Sequence, residues 1–189
     1  MKRYRLDSFE NLVDAFNALP SIGKKSATKL AYHLVMEDSY KGVKLAHSIE
    51  DAINSISRCI RCNNMSEDEL CSICSDSYRD STKICIVQSA KDIITIEDSG
   101  RYDGLYYIIP SIHQIDETHL FYAIDGVEEV IFAFSPNIEN DAMILYIEDR
   151  LKEFNLKFTK IAQGVPTGVA LDSVDILSLS RALEDRITI

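Results

Sequence analysis

Cys59-Ile-Arg-Cys62 and Cys71-Ser-Ile-Cys74, separated by eight residues, decide how this chain is divided. Two residues between cysteines let both sulfurs of a knuckle reach one tetrahedral ion at about 2.3 Å, and a second knuckle completes a four-thiolate shell suited to zinc. The surrounding stretch, Arg58 to Arg79, has four of the five cysteines and little apolar content. It is too small and too polar to build a core, so something other than hydrophobic burial must hold it. Two disulfides or a redox CxxC are the alternative uses of these residues, and disulfides are rare in a reducing compartment. Four thiolates leave no open coordination position. One zinc ion per chain, bound by Cys59, Cys62, Cys71 and Cys74, is therefore expected to be structural. Cys85 lies beyond the cluster and reads as a buried small hydrophobe.

On the N-terminal side of the cysteines the periodicity is helical. Phe9, Leu12, Val13, Phe16 and Leu19 share one helix face, and Asp7 with Glu10 has the spacing of a capping box. Pro20-Ser21-Ile22-Gly23 interrupts the pattern. A second helix is expected from about Lys24 to Glu37, and Leu45, Ile49, Ala52, Ile53 and Ile56 define a third. After the cysteines the texture becomes β-rich. Ile84 to Val87, Leu105 to Ile109, Glu129 to Phe134 and Leu156 to Ala162 read as strands, and Ala90 to Asp98 and Glu139 to Phe154 as helices. Such alternation predicts βαβ units and a mostly parallel sheet. A last helix, about Ser173 to Arg186, follows Gly164-Val-Pro-Thr-Gly168.

Of the 189 residues 46% are hydrophobic and only 11 are Gly or Pro, which suits a folded chain with a sizeable core. Apolar runs such as Val130 to Phe134 fall far short of the roughly 18 residues a membrane helix needs. Lys2, Arg3 and Arg5 imitate a signal-peptide start, yet Asp7, Glu10 and Asp14 occupy the place of its apolar region. A cytoplasmic protein is expected. The net charge of -10 hides an asymmetry: residues 1–50 carry 8 Lys+Arg against 6 Asp+Glu, a net of +2, and the remainder carries 12 against 24, a net of -12. A polyanion would meet the first fifty residues, and the acidic remainder would repel it or face a protein partner.

The basic focus is Leu19 to Leu34, where a tight turn ending at Gly23 leads into a helix with Lys24, Lys25 and Lys29. Amides freed at a helix start hydrogen-bond phosphate, and the lysines add Coulomb attraction. Gly23, Lys24, Lys25 and Lys29 are thus candidate DNA-backbone contacts, although a bare helical hairpin with surface lysines gives the same pattern. Gly23-Lys-Lys-Ser26 is not a P-loop, because Ala18 stands where the earlier glycine is required and no strand precedes it.

The order of these motifs, with Lys83-Ile-Cys-Ile-Val87 opening the α/β region, resembles the bacterial recombination-mediator family RecR along essentially the whole chain. Leu19 to Leu34, Cys59 to Asp80, Lys91-Asp92, Pro136 with Glu139, and Ala162 to Arg186 carry the resemblance. It implies a multi-element α/β chain divided into a helix-hairpin-helix domain (1–57), a four-cysteine zinc finger (58–80), a Toprim-type α/β domain (81–163) and a C-terminal assembly segment ending in a helix (164–189). It also implies a DNA-binding homo-oligomer, dimer to tetramer, with RecO- and RecF-type partners, helping to load recombinase onto gapped DNA. Two departures stand out. Ser21 replaces the first glycine of a Gly-Ile-Gly turn, which makes a left-handed conformation harder. Pro110 to His119 replaces a Gly-rich stretch, so that loop's contacts do not transfer; His113 and His119 read as solvated, with ligation as the alternative.

Toprim enzymes hold Mg2+ with clustered carboxylates. In register, Gln88 stands at the first Glu, and Ser135-Pro-Asn137-Ile-Glu139 at the Asp-Pro-Asp-x-Glu stretch. Only Glu139 and Asp141 remain, too sparse for phosphoryl transfer, and both suit a helix N-terminus. No catalytic residue and no enzymatic activity are expected. A Toprim-type nuclease or primase and a zinc-ribbon protein that binds only other proteins are the competing readings.

Overall fold

The computed structural model describes residues 6–162, 164–165 and 168–184. Its contacts fall into two units, Met1–Ile56 and Ser57–Ile189.

In the first unit, α1 (Asp7–Asn17) and α2 (Lys24–Tyr32) form a hairpin. Val13, Ala27 and Ala31 are buried at its centre, with Phe9, Leu12, Phe16 and Ile22 packed around them. The two alanines are fully buried, and their small side chains let the helices approach closely. The capping box expected from Asp7 and Glu10 does not form. Leu6 takes the cap position and Asp7 is already helical, where its carboxylate favours the helix dipole. The second helix does not continue unchanged to Glu37, for His33–Glu37 widens into a π-helical turn in which His33 Nδ1 lies 2.6 Å from Glu37 Oε2.

Helix α3 (Ser39–Ser55) then starts ahead of the expected Leu45, because Asp38 accepts the Lys41 amide at 3.0 Å and caps it. Gly42 permits the return: a Cβ there would sit 2.9 Å from the Leu34 carbonyl oxygen. No residue of α3 is buried.

The second unit begins with an antiparallel ribbon, β1 (Ser57–Arg58) and β2 (Met65–Ser66), which frames the first cysteine knuckle. Next come β3 (Asp80–Val87), α4 (Ala90–Ser99) and β4 (Gly104–Ile108). A short α5 (Glu117–Ala123), absent from the sequence expectation, precedes β5 (Glu129–Phe132), α6 (Ile138–Leu151) and β6 (Lys157–Lys160). The four strands lie in the order β4-β3-β5-β6, and every neighbouring pair is parallel, as expected.

Period-two alternation sorts the core onto the two faces of the sheet. Ile84 and Ile86 pack with Leu120, Met143 and Ile147 of α5 and α6. Cys85 and Val87 pack with Ile93 of α4. Cys85 is buried as expected, and burial pushes its thiol up to about 12. A final helix, α7 (Ile176–Glu184), follows a 3-10 turn at Leu171–Ser173, and the expected continuation to Arg186 lies outside the described residues. Among the described residues no helix is long and apolar enough to cross a membrane.

Candidate metal centre and nucleic-acid interface

The ribbon β1–β2 and the chain that follows bring Cys59, Cys62, Cys71 and Cys74 together, with all four Sγ atoms within 4.8 Å of one another. Tetrahedral bonds of about 2.3 Å place sulfurs roughly 3.8 Å apart, and Cys62 and Cys71 Sγ are separated by 3.6 Å. The donor set therefore fits a zinc ion. All five cysteines are free thiols, so the disulfide alternative is not realised among them.

Local backbone bonds hold each knuckle. The Cys59 amide donates to Asn64 O at 2.8 Å, Asn63 N donates to Cys59 O at 3.0 Å, and Ser75 N donates to Cys71 O at 3.0 Å. Asn63 takes φ 63°, a left-handed conformation that asparagine tolerates better than most residues. The Cys71 amide also donates to Cys59 Sγ at 3.3 Å, the kind of bond that stabilises a thiolate. Proton sharing between Cys62 and Cys71 raises the first thiol and lowers the second. A divalent cation would take the place of those protons.

The finger is joined to the sheet at both ends. Ile108 N of β4 donates to Cys62 O at 3.0 Å. At the other end Arg79 forms a two-pronged ion pair with Glu97 of α4, and its Nη1 reaches Gly104 O at 3.3 Å. The Arg79 guanidinium holds the Glu97 carboxyl below its ordinary range. His119, expected as a solvated loop residue, sits half-buried on α5, with Nε2 2.7 Å from Ile60 O. His113 is exposed.

In the first unit the hairpin presents its cations at one helix start. Gly23 is the N-cap of α2, in extended conformation at φ -82°, and no acidic residue occupies the first turn. The leading amides of an α-helix lack intrahelical acceptors. Lys24, Lys25 and Lys29 are exposed around them. Ion pairs in the described part of this unit join His33 to Glu37 and Lys41 to Asp38, leaving these three lysines uncommitted.

The left-handed residue of the turn is Ser21, at φ 66°. Ile22 N donates to Leu19 O at 3.3 Å across Pro20 and Ser21, the type II pattern that favours glycine at its third position. The chain thus keeps the turn without that glycine and bears the strain. Ser21→Gly is expected to stabilise the protein by about 0.5–1 kcal/mol, the left-handed cost less the entropy gained by the unfolded chain. Thermal unfolding should shift upward by roughly 1–4 °C.

Gln88, just after β3, pairs with Asn140 in the first turn of α6. Gln88 Nε2 donates to Asn140 Oδ1 at 3.0 Å, and Asn140 Nδ2 donates back to Gln88 Oε1 at 3.3 Å and to Ser135 O at 2.7 Å. Asn140 is only 3% exposed. Asn137 caps α6 by accepting the Asn140 amide at 2.8 Å. Asn140 escaped the sequence reading, because flanking Glu139 and Asp141 make it look like part of a solvated helix start. Glu139 and Asp141 are exposed in the first turn of α6, in keeping with a dipole role.

Three family models match in chain order: RecR, helix-hairpin-helix, over residues 9–53; the RecR zinc finger domain with four cysteines, over 56–76; and Toprim domain, over 82–162. The chain is 54% identical over 187 residues to Recombination protein RecR of Nitratiruptor sp., covering 98% of each chain. It is 46% identical to Recombination protein RecR of Helicobacter pylori (strain Shi470), covering 96% of this chain and 95% of that one. Identity to Recombination protein RecR of Campylobacter jejuni subsp. jejuni is 45%, with 96% of each chain covered. With its helical hairpin, four-cysteine cluster and parallel Toprim sheet in that order, the chain belongs to the RecR family.

Proposed function

We propose that this chain is a non-enzymatic, DNA-binding recombination mediator of recombinational repair, working in the cytoplasm with one structural zinc ion held by Cys59, Cys62, Cys71 and Cys74. It assembles as a homo-oligomer, dimer to tetramer, on gapped, single- or double-stranded DNA and helps RecO- and RecF-type partners load recombinase. The relatives' shared name, recombination protein, supports the process.

The observation that carries DNA binding is the start of α2: Lys24, Lys25 and Lys29 exposed beside Gly23, with no first-turn acid, in a chain of net charge -10. Such a site grips phosphates and reads no bases. Neutral Gln88, Ser135 and Asn137 support the absence of catalysis, because they cannot replace the carboxylates that bind Mg2+ against a phosphate.

The test is a salt titration of DNA binding with wild type and Lys25→Glu/Lys29→Glu. Each phosphate contact releases about 0.7–0.9 counterions. Wild-type affinity should fall steeply with salt and vary little with sequence, the double variant should bind at least a hundredfold more weakly, and the DNA should stay uncut in Mg2+. A folded double variant with the wild-type salt slope would remove the hairpin as the DNA site, and Mg2+-dependent cleavage abolished by Glu139→Gln would restore the nuclease reading.

A further inference from the structure

The geometry points to His119 as a positioning residue of the zinc site, holding the first knuckle from outside through the carbonyl of Ile60. This rests on the zinc reading above but concerns a residue the cysteine pattern does not contain. Ile60 is the residue after Cys59, inside the Cys59-Ile-Arg-Cys62 knuckle. Its carbonyl lies 2.7 Å from His119 Nε2. A carbonyl only accepts, so Nε2 bears the proton of this hydrogen bond.

Nδ1 has donors in place. The Tyr107 hydroxyl lies 2.8 Å away and Asn63 Nδ2 3.5 Å away. Tyr107 belongs to β4 and is 2% exposed, with its ring 5.5 Å from the imidazole. Its hydroxyl is fixed by the core and needs a partner there. At the start of α5, Asp116 Oδ1 accepts the His119 amide at 3.1 Å and sets the backbone. A relay results: buried sheet tyrosine, imidazole, knuckle carbonyl. It acts beside the second attachment, Ile108 N to Cys62 O at 3.0 Å. The knuckle is thus gripped at Ile60 and at Cys62 by groups of the sheet domain, which orient Cys59 and Cys62 toward a shared ion. Groups outside the ligand shell that orient ligands in this way alter metal affinity by about 10–100-fold.

The experiment measures zinc content and then zinc release into excess chromophoric chelator, using the full-length protein. A wild type lacking zinc sinks both the metal reading and this one, whereas a zinc-loaded wild type isolates the question of His119. His119→Phe keeps a ring and loses both polar atoms, and should release zinc about 10–100-fold faster. His119→Gln, which can donate and accept, should recover part of the loss, and His113→Ala should match wild type. A folded His119→Phe with the wild-type release rate overturns the assignment. So does His119→Gln as fast as His119→Phe, or His113→Ala as fast as either. Should His119→Phe not fold, Tyr107→Phe removes only the hydroxyl behind the imidazole: faster release supports the relay, and wild-type release refutes it.

Discussion

Stripping zinc from the four-cysteine site, or replacing Cys71 by Ala, is expected to unfold residues 57–79 and loosen the β4 edge of the sheet. The finger's buried hydrophobic residues are Cys59, Cys62 and Cys71, with Ile73 and Cys74 against them. Once the metal is gone the finger has almost no apolar surface left to keep it folded. Zinc bound by such sites contributes about 10–16 kcal/mol at neutral pH, as large as the whole stability of an ordinary domain at about 5–15 kcal/mol. The loss spreads because Ile108 N and His119 Nε2 lose their acceptors at Cys62 and Ile60. Two hydrogen bonds of about 0.5–1.5 kcal/mol each translate into a fall of roughly 4–24 °C in the unfolding temperature of the sheet domain. Amide exchange should show protection lost first over 57–79 and then at β4.

Acid should act in the same direction. The ligands bind as thiolates, protons compete for the sulfurs, and zinc affinity falls as pH falls. Metal-derived stability is therefore present at neutral and higher pH and lost on acidification. Metal-free protein with undiminished protection at 57–79 would show that the finger is held by something else.

The cysteines were legible because CxxC spacing is a local constraint. So was the parallel sheet, since its strands are apolar runs separated by helical ones. What the sequence concealed depends on contacts between distant residues. His119 is polar and sits after Pro110 in a stretch resembling a loop, and only the fold brings it 2.7 Å from Ile60 O. Gln88 could be read as a lost carboxylate, but its pairing with Asn140, 52 positions away, could not. Ser21 was read as an obstacle to a left-handed turn, yet it adopts φ 66°; packing of α1 on α2 around Ala27 and Ala31 outweighs a strain of about 1–2 kcal/mol. Helix α3 was expected from Leu45, Ile49 and Ile53, whose spacing normally marks a buried face. Its residues are helical as expected and none of them is buried.

That exposed face leads to the last expected result: if the chain assembles as proposed, Ile49→Glu with Ile53→Glu should leave it a monomer. Ile49 is 51% exposed, Ile53 73%, Val43 57% and Met36 66%. Leu12, Phe16, Leu34, Val43, Ala46 and Ile49 line an open groove of about 600 Å³ in the same unit. Phe9, Leu12 and Phe16 pack against Val13, Ala27 and Ala31, while α3 keeps Val43, Ile49 and Ile53 exposed. A second copy of the chain is the occupant proposed for it. Fully burying each isoleucine would contribute about 1.5–3 kcal/mol, and a stable pairing needs about 800 Å² from each partner. Glutamate at two central positions removes that gain and adds two carboxylates that an apolar interface cannot solvate. Light scattering after size exclusion should therefore report a monomer with unchanged helix content and zinc. DNA affinity should fall as well, although no lysine has been touched, because joined hairpins gain from the high local concentration of the second site. Tyr122→Glu, at a residue 62% exposed on α5, should leave the oligomer intact. An Ile49→Glu/Ile53→Glu protein that keeps the wild-type mass would move the assembly surface elsewhere, and a wild type monomeric at every concentration would remove assembly from the function altogether.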